Sequence, residues 1–260
     1  MRVFLILLSL LVILGINSAF ADTIFTTRSS LSDHLVFDGE WSPYYEWKES
    51  SEQVVRYSDG TELAIRVAHD YQNLYFFIDF ITDSKIDKGA DRAIICLDVK
   101  NNKAKFADDD DFCFMTVSFG KSVIVLQGGS PLQPTSNFYT VLDKEGVIGV
   151  GGISAKDDRY TSIPHTSYEF SVPIDFVGRT DNYGLYVGVY EASSKKVYSW
   201  PQQITLDRPN QIPSPSQWGE LVSPDKSIPE FELPLLVLIP AIIAIVLITK
   251  IKYHGLHPIF

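Results

Sequence analysis

Residues 62–83, ELAIRVAHDYQNLYFFIDFITD, decide how the rest of the chain is read. The first half alternates, with Leu63, Ile65 and Val67 on one face and Ala64 and Arg66 on the other. The second half places Leu74, Phe76, Ile78 and Phe80 at period two, with Tyr75, Phe77 and Asp79 between them. Successive side chains leave a strand on opposite sides, so this spacing is what a strand with one buried face requires. Asp70, Tyr71, Gln72 and Asn73 suit a turn, and the segment reads as a β-hairpin.

The same grammar extends both ways. Upstream, residues 23–27, 34–41 and 53–57 read as strands, the second running into an Asp38-Gly39 turn and the third into Asp59-Gly60. Downstream, AIICLDV at 93–99 is continuously apolar, which suits a strand covered on both faces. Residues 112–119 and 122–127 form a second hairpin, and 147–153, 168–174, 185–190 and 196–200 supply four more strands. Helical spacing is confined to one turn at 173–177. Roughly ten short strands joined by turns predict an all-β fold, an antiparallel β-sandwich of jelly-roll type.

Both ends read as targeting segments. Residues 1–21 carry Arg2, an apolar run and the small-x-small exit Ala19-Phe20-Ala21, the pattern of a secretory signal peptide. Residues 231–251 are apolar apart from Glu232, Pro234, Pro240, Thr249 and Lys250, long enough to cross a bilayer as one C-terminal transmembrane helix. Lys250 and Lys252 place that end, with the tail 252–260, in the cytoplasm. A Pro-rich stalk at 224–230 precedes it. The expected domain is therefore 22–223, exported and anchored at the cell surface by its C-terminus.

The chain has 22 basic and 32 acidic side chains and a net charge of −10, which argues against nucleic acid as a partner. It has only two cysteines, Cys96 and Cys113, on consecutive predicted strands. If Asp98 faces Asp111, the same register sets Cys96 opposite Cys113. A cross-strand disulfide and two buried free thiols both fit that placement.

Several short motifs occur in a telling order: Asp38-Gly39-Glu40-Trp41, Asn73-Leu74-Tyr75, residues 91–98 (DRAIICLD), residues 168–174 (YEFSVPI) and residues 215–221 (PSQWGEL). In that order the chain resembles family 9 carbohydrate-binding modules and the wider DOMON-like superfamily. The resemblance implies a β-sandwich that binds sugars, often with a structural calcium ion, or in other branches haem. Pro229-Glu230-Phe231, followed by the apolar span and its lysines, resembles an archaeal PEF-type sorting signal. That implies a sorting enzyme as a partner and a lipid anchor in place of the helix; an intact membrane helix is the alternative.

Sugar sites stack pyranose rings on exposed aromatic faces, with a few polar groups fixing the hydroxyls. Trp47, with Tyr44 and Tyr45 in a polar segment, is the expected platform, whereas Trp41, Trp200 and Trp218 read as core. The paired tryptophans that clamp sugar in well-known family members have no match in this chain. Calcium takes six to eight oxygens, and two acidic loops offer them: Asp83, Asp87 and Asp91, or Asp108, Asp109, Asp110 and Asp111. Haem ligation in the superfamily uses methionine; Met115, with His69 or His165 as partner, is the only candidate and reads as core filler. No nucleophile elbow, HExxH or P-loop occurs, and His34, His69 and His165 show no metal spacing. The expected function is non-catalytic glycan binding at the cell surface. A structural or interaction module of the envelope is the competing class, and a haem-binding redox domain the third.

Overall fold

The computed structural model describes residues 22–30, 35–42, 46–130, 137–206, 208 and 211–223. The signal segment 1–21, the stalk, the Pro229-Glu230-Phe231 motif and the span 231–251 lie outside them. The chain separates into two compact units, Met1–Pro224 and Asp225–Phe260, and the described residues all belong to the first.

In chain order the strands begin β1 (Thr23–Phe25), β2 (Thr27–Arg28), β3 (Ser51–Arg56), β4 (Glu62–His69), β5 (Asn73–Asp79), β6 (Arg92–Asp98) and β7 (Asp111–Val117). They continue as β8 (Ile124–Gln127), β9 (Tyr139–Val141), β10 (Ile148–Ser154), β11 (His165–Pro173), β12 (Asn182–Glu191), β13 (Lys196–Trp200) and β14 (Gly219–Val222). A single helical turn, α1 (Ile174–Val177), follows β11. One sheet has eight strands in the order β1-β14-β12-β6-β7-β8-β9, with β13 also on β12. The other has six, β10-β11-β5-β4-β2, with β3 also on β4.

The quoted stretch forms the hairpin β4–β5, in register from Ala64↔Asp79 to His69↔Leu74. Asp70 closes its turn, Oδ1 accepting from the amides of Gln72 at 2.7 Å and Asn73 at 2.6 Å, an Asx turn. Leu63, Ile65, Val67, Phe76 and Ile78 point into the core between the sheets, where they share one cluster with Ile95, Leu97, Phe114, Leu185 and Val187. Burial of such side chains is the principal stabilising term.

The hairpin departs from expectation on its second face. Ala64, Arg66, Ala68, Tyr75, Phe77 and Asp79 are also buried, none more than 4% exposed. The reason is a covering segment. Residues 35–41, expected as part of a strand, are irregular, because sheet side chains take their backbone amides. Asp38 and Gly39 donate to Glu169 Oε2 at 3.0 and 2.7 Å, and Trp41 donates to Ser154 Oγ at 2.9 Å. Gly39 sits at φ +84°, and a Cβ there would meet the Gly152 amide at 2.3 Å, so the turn lies directly on β10.

The outer face of the eight-stranded sheet is covered as well. Cys96, Cys113 and Tyr186 pack there with Ala107, Phe138, Ile204 and Trp218. The register is the expected one, Asp98↔Asp111 and Cys96↔Cys113, and the two sulfurs are joined as a disulfide.

The sandwich is mixed rather than wholly antiparallel. The first expected strand divides: β1 pairs parallel with β14, β2 pairs parallel with β4, and the Thr26 amide between them donates to Val222 O. β9 and β14, three and four residues long, were not expected as strands.

The disulfide spans 17 residues, and loop-entropy reasoning assigns a closure of that size about 3 kcal/mol. The double variant C96A/C113A should therefore lower the urea midpoint, with an m-value no smaller than wild type because the unbridged denatured chain exposes more surface; a midpoint equal to wild type would remove the disulfide from the account of stability.

Candidate functional site

A cavity of about 280 Å³ lies over the outer face of the eight-stranded sheet. Strand alternation builds its floor. Arg92 and Ile94 project from β6, Met115 from β7, Leu126 from β8, and Tyr186, Gly188 and Tyr190 from β12. The register sets Tyr190 opposite Arg92 and Ile94 between Gly188 and Met115. Leu206, Gln211 and Ile212, beyond β13, form the wall.

Gly188 makes the space. A Cβ at that position would come within 2.5 Å of the Tyr186 hydroxyl oxygen and 3.1 Å of Ile94 Cγ2. The Tyr186 hydroxyl shares a 3.1 Å hydrogen bond with Ser199, which holds the ring across the floor. Half-buried Arg92 lies with its guanidinium 4.3 Å from the centroid of the Tyr190 ring, a cation–π pair. The result is an apolar floor bordered by an aromatic ring, a planar multiple donor and the Gln211 amide. That combination accepts a ligand with apolar C–H faces and a polar rim.

A second, larger cleft of about 480 Å³ runs between residues 37–40 and the Gly151–Gly152 part of β10. Phe37, Asp38, Glu40, Phe119 and Lys121 line it. Burial, with Asp38 nearby, raises the Glu40 carboxyl.

Trp47 is not an exposed platform. It is fully buried, its ring centroid is 5.4 Å from that of Phe77, and its Nε1 donates to Glu169 Oε1 at 2.8 Å. The polar residues around it are linker to an anchor: at φ +53° the chain turns the indole inward onto the six-stranded sheet. Tyr44 and Tyr45 lie outside the described residues. Trp41, Trp200 and Trp218 are buried, as their positions suggested.

Asp83, Asp87 and Asp91 do not converge as a set within 4.8 Å. Asp83 accepts from the Thr166 hydroxyl at 2.8 Å, and Asp91 accepts from the amides of Asp87 and Ala192 at 2.6 and 2.9 Å. Asp108, Asp109 and Asp110 do converge, and an all-oxygen donor set is the kind calcium takes. However, Lys100 Nζ already lies 2.7 Å from Asp110 and 3.6 Å from Asp109. Asp111, buried beneath them, accepts from the Asp108 amide, and burial together with Asp98, Asp108 and Asp110 pushes its carboxyl up to about 8. Met115 faces the cavity rather than the core, and His69 and His165 belong to strands of the other sheet, so neither is brought to it.

The buried polar layer on the six-stranded sheet was missed. Arg66, Asp79, His165 and Glu169 are each 2% exposed or less. Arg66 donates to Trp47 O at 3.1 Å and to the Tyr160 hydroxyl at 3.0 Å, and pairs with Glu52. In sequence these residues alternate with apolar ones, which marks them as outward-facing but does not show what covers them.

No protein-family model matches the chain, and no curated protein sequence matches it. Solved structures do share its fold. A family 9 carbohydrate-binding module from Caldicellulosiruptor kristjanssonii in complex with cellotriose aligns with TM-score 0.51 at 15% identity, over 80% of this chain and 97% of that one. A family 9 module from the same organism in complex with glucose aligns with TM-score 0.50 at 16% identity, over 80% and 98%. At this identity the likeness establishes the β-sandwich.

Burial outweighs the three donors on Glu169 and pushes its carboxyl from the ordinary 4.5 up to about 8. A raised folded-state value means stability fully present below about 4.5 and lost as pH rises through about 8. Thermal melts should accordingly give a lower Tm at pH 9 than at pH 6, with a smaller difference in E169Q. Equal differences in the two proteins would assign the pH dependence to other groups.

Proposed function

We propose that residues 22–223 form a non-catalytic carbohydrate-binding module whose ligand enters the cavity over β6, β7, β8 and β12. The observation that carries this reading is the pairing of an apolar floor with Arg92, Tyr190 and Gln211 at the rim. A pyranose presents flat C–H patches edged by hydroxyls. Ile94, Met115 and Leu126 would take the patches, while the guanidinium and the amide would take pairs of hydroxyls. The likeness to modules solved with cellotriose and with glucose supports the same ligand class. Binding would hold a glycan without altering it: among the described residues the cavity's titratable lining is Arg92, Tyr186 and Tyr190, with no carboxylate pair to act as acid and base. In this reading residues 1–21 export the chain and 231–251 anchor it, so that the glycan belongs to the cell's own envelope or to external polysaccharide.

A glycan array probed with the full chain in mild detergent tests the proposal. Saturable binding to a defined sugar is expected, with Y190A and R92A each weakening it about tenfold, roughly 1.4 kcal/mol. D38N and E40Q should leave it unchanged. Loss in the latter pair alone would move the site to the second cleft, and silence across the array from folded protein would favour an envelope module without a sugar site.

A further inference from the structure

On the outer face of the six-stranded sheet, Asp79 at the end of β5 and His165 at the start of β11 are both fully buried. The loop between β10 and β11 brings Asp158 to them, its side chain likewise buried. One ligand atom from each of the three lies within 4.8 Å of the others. Four donor atoms in this cluster have no hydrogen-bond partner: both oxygens of Asp79, Oδ2 of Asp158 and Nε2 of His165. Unsatisfied buried carboxylates are costly, and two of them beside a histidine more so. Nε2 and Asp79 Oδ1 form a close pair 2.5 Å apart, and Asp158 Oδ1 is 4.0 Å from the same nitrogen.

The imidazole is oriented. Its Nδ1 lies 2.7 Å from the carbonyl oxygen of Ile163, to which it donates, so Nε2 is the nitrogen turned toward the carboxylates, and a metal there would take the place of its proton. A backbone acceptor on the far nitrogen is the usual support of a metal-bound histidine. Asp158 is oriented too, its Oδ1 accepting from the amides of Tyr160 at 2.6 Å and Thr161 at 3.0 Å, which leaves Oδ2 free.

We propose that Asp79, Asp158 and His165 form a buried site for a divalent transition metal, zinc in the first instance, which fastens the 155–164 loop to the six-stranded sheet. One nitrogen and two carboxylates suit zinc, whereas calcium takes oxygen donors. Bonds of about 2 Å would hold Nε2 and Oδ1 about 3 Å apart. Reaching that distance opens the 2.5 Å Asp79–His165 pair by about 0.5 Å, the metal standing where a proton would otherwise lie. The site is separate from the proposed glycan cavity, which lies on the other sheet.

The test uses the full chain in mild detergent, stripped with a chelator, then offered ZnCl2, CoCl2 or CaCl2 in turn. One zinc per chain should survive gel filtration and raise Tm, while calcium should neither displace it nor reproduce the shift in H165Q or D79N. Cobalt should give visible d–d absorption in the wild type. D158N, which alters a loop residue, should lose both the zinc and the cobalt bands; D109N should keep both. If H165Q fails to fold, the wild-type cobalt spectrum and D158N decide the matter alone. Zinc retained equally by D158N, or no zinc retained by the wild type, would overturn the proposal and leave an imidazolium–carboxylate pair.

Discussion

The Glu169 carboxylate is where the covering chain is tied to the sandwich. It sits fully buried on β11 and accepts from the Asp38 and Gly39 amides and from the Trp47 indole. Those three donors come from Asp38, Gly39 and Trp47, so one side chain holds two separate points of the covering chain. Trp41 and Trp47 then pack against Phe77 at 5.7 and 5.4 Å, and the Arg66 guanidinium lies 4.9 Å from the Trp41 ring. A layer of this kind is demanding, because each buried polar group must find its partner within it. Its return is a sheet shielded on both faces.

The two outer faces are handled differently. On the six-stranded sheet the cover is aromatic and charged, and it buries the outward faces of β4, β5 and β11. On the eight-stranded sheet the cover is mainly apolar, with Trp218 and Ile204 seated around the Cys96–Cys113 bridge. It fits closely near the bridge and stands away further along β12, where Gly188 contributes no side chain. The cavity is thus a consequence of a loop spanning a sheet whose floor is lowered at one position.

Most strands were legible because period-two patterning is a local property. The hairpin, the doubly covered β6 and the Cys96–Cys113 register could all be read from neighbouring residues. What could not be read is the partnership of the outward faces. Asp79 in FFIDF and Glu169 in YEFSV look solvated until segments distant in sequence are placed beside them, as the Gly39–Glu169 bond and the Asp79–His165 pair show. Trp47 was misplaced for the same reason: polar neighbours suggested exposure, while a single buried acceptor drew the indole inward. In the Asp79, Asp158 and His165 cluster Asp79 lies on a strand remote in sequence from the other two, so no local spacing could announce the set.

The division of the first strand between the two sheets constrains how the domain can assemble. Thr23 pairs with Glu220, so the opening residues find their partner only when the closing strand has been delivered. Joining such distant segments incurs a large loop-closure entropy before any contact offsets it. A chain made from its N-terminus would therefore leave β1 unpaired in the eight-stranded sheet until β14 had followed. The seam where residues 23–25 run beside 220–222 thus needs both ends of the domain present, and a chain cut short of residue 219 would leave β1 without its partner strand.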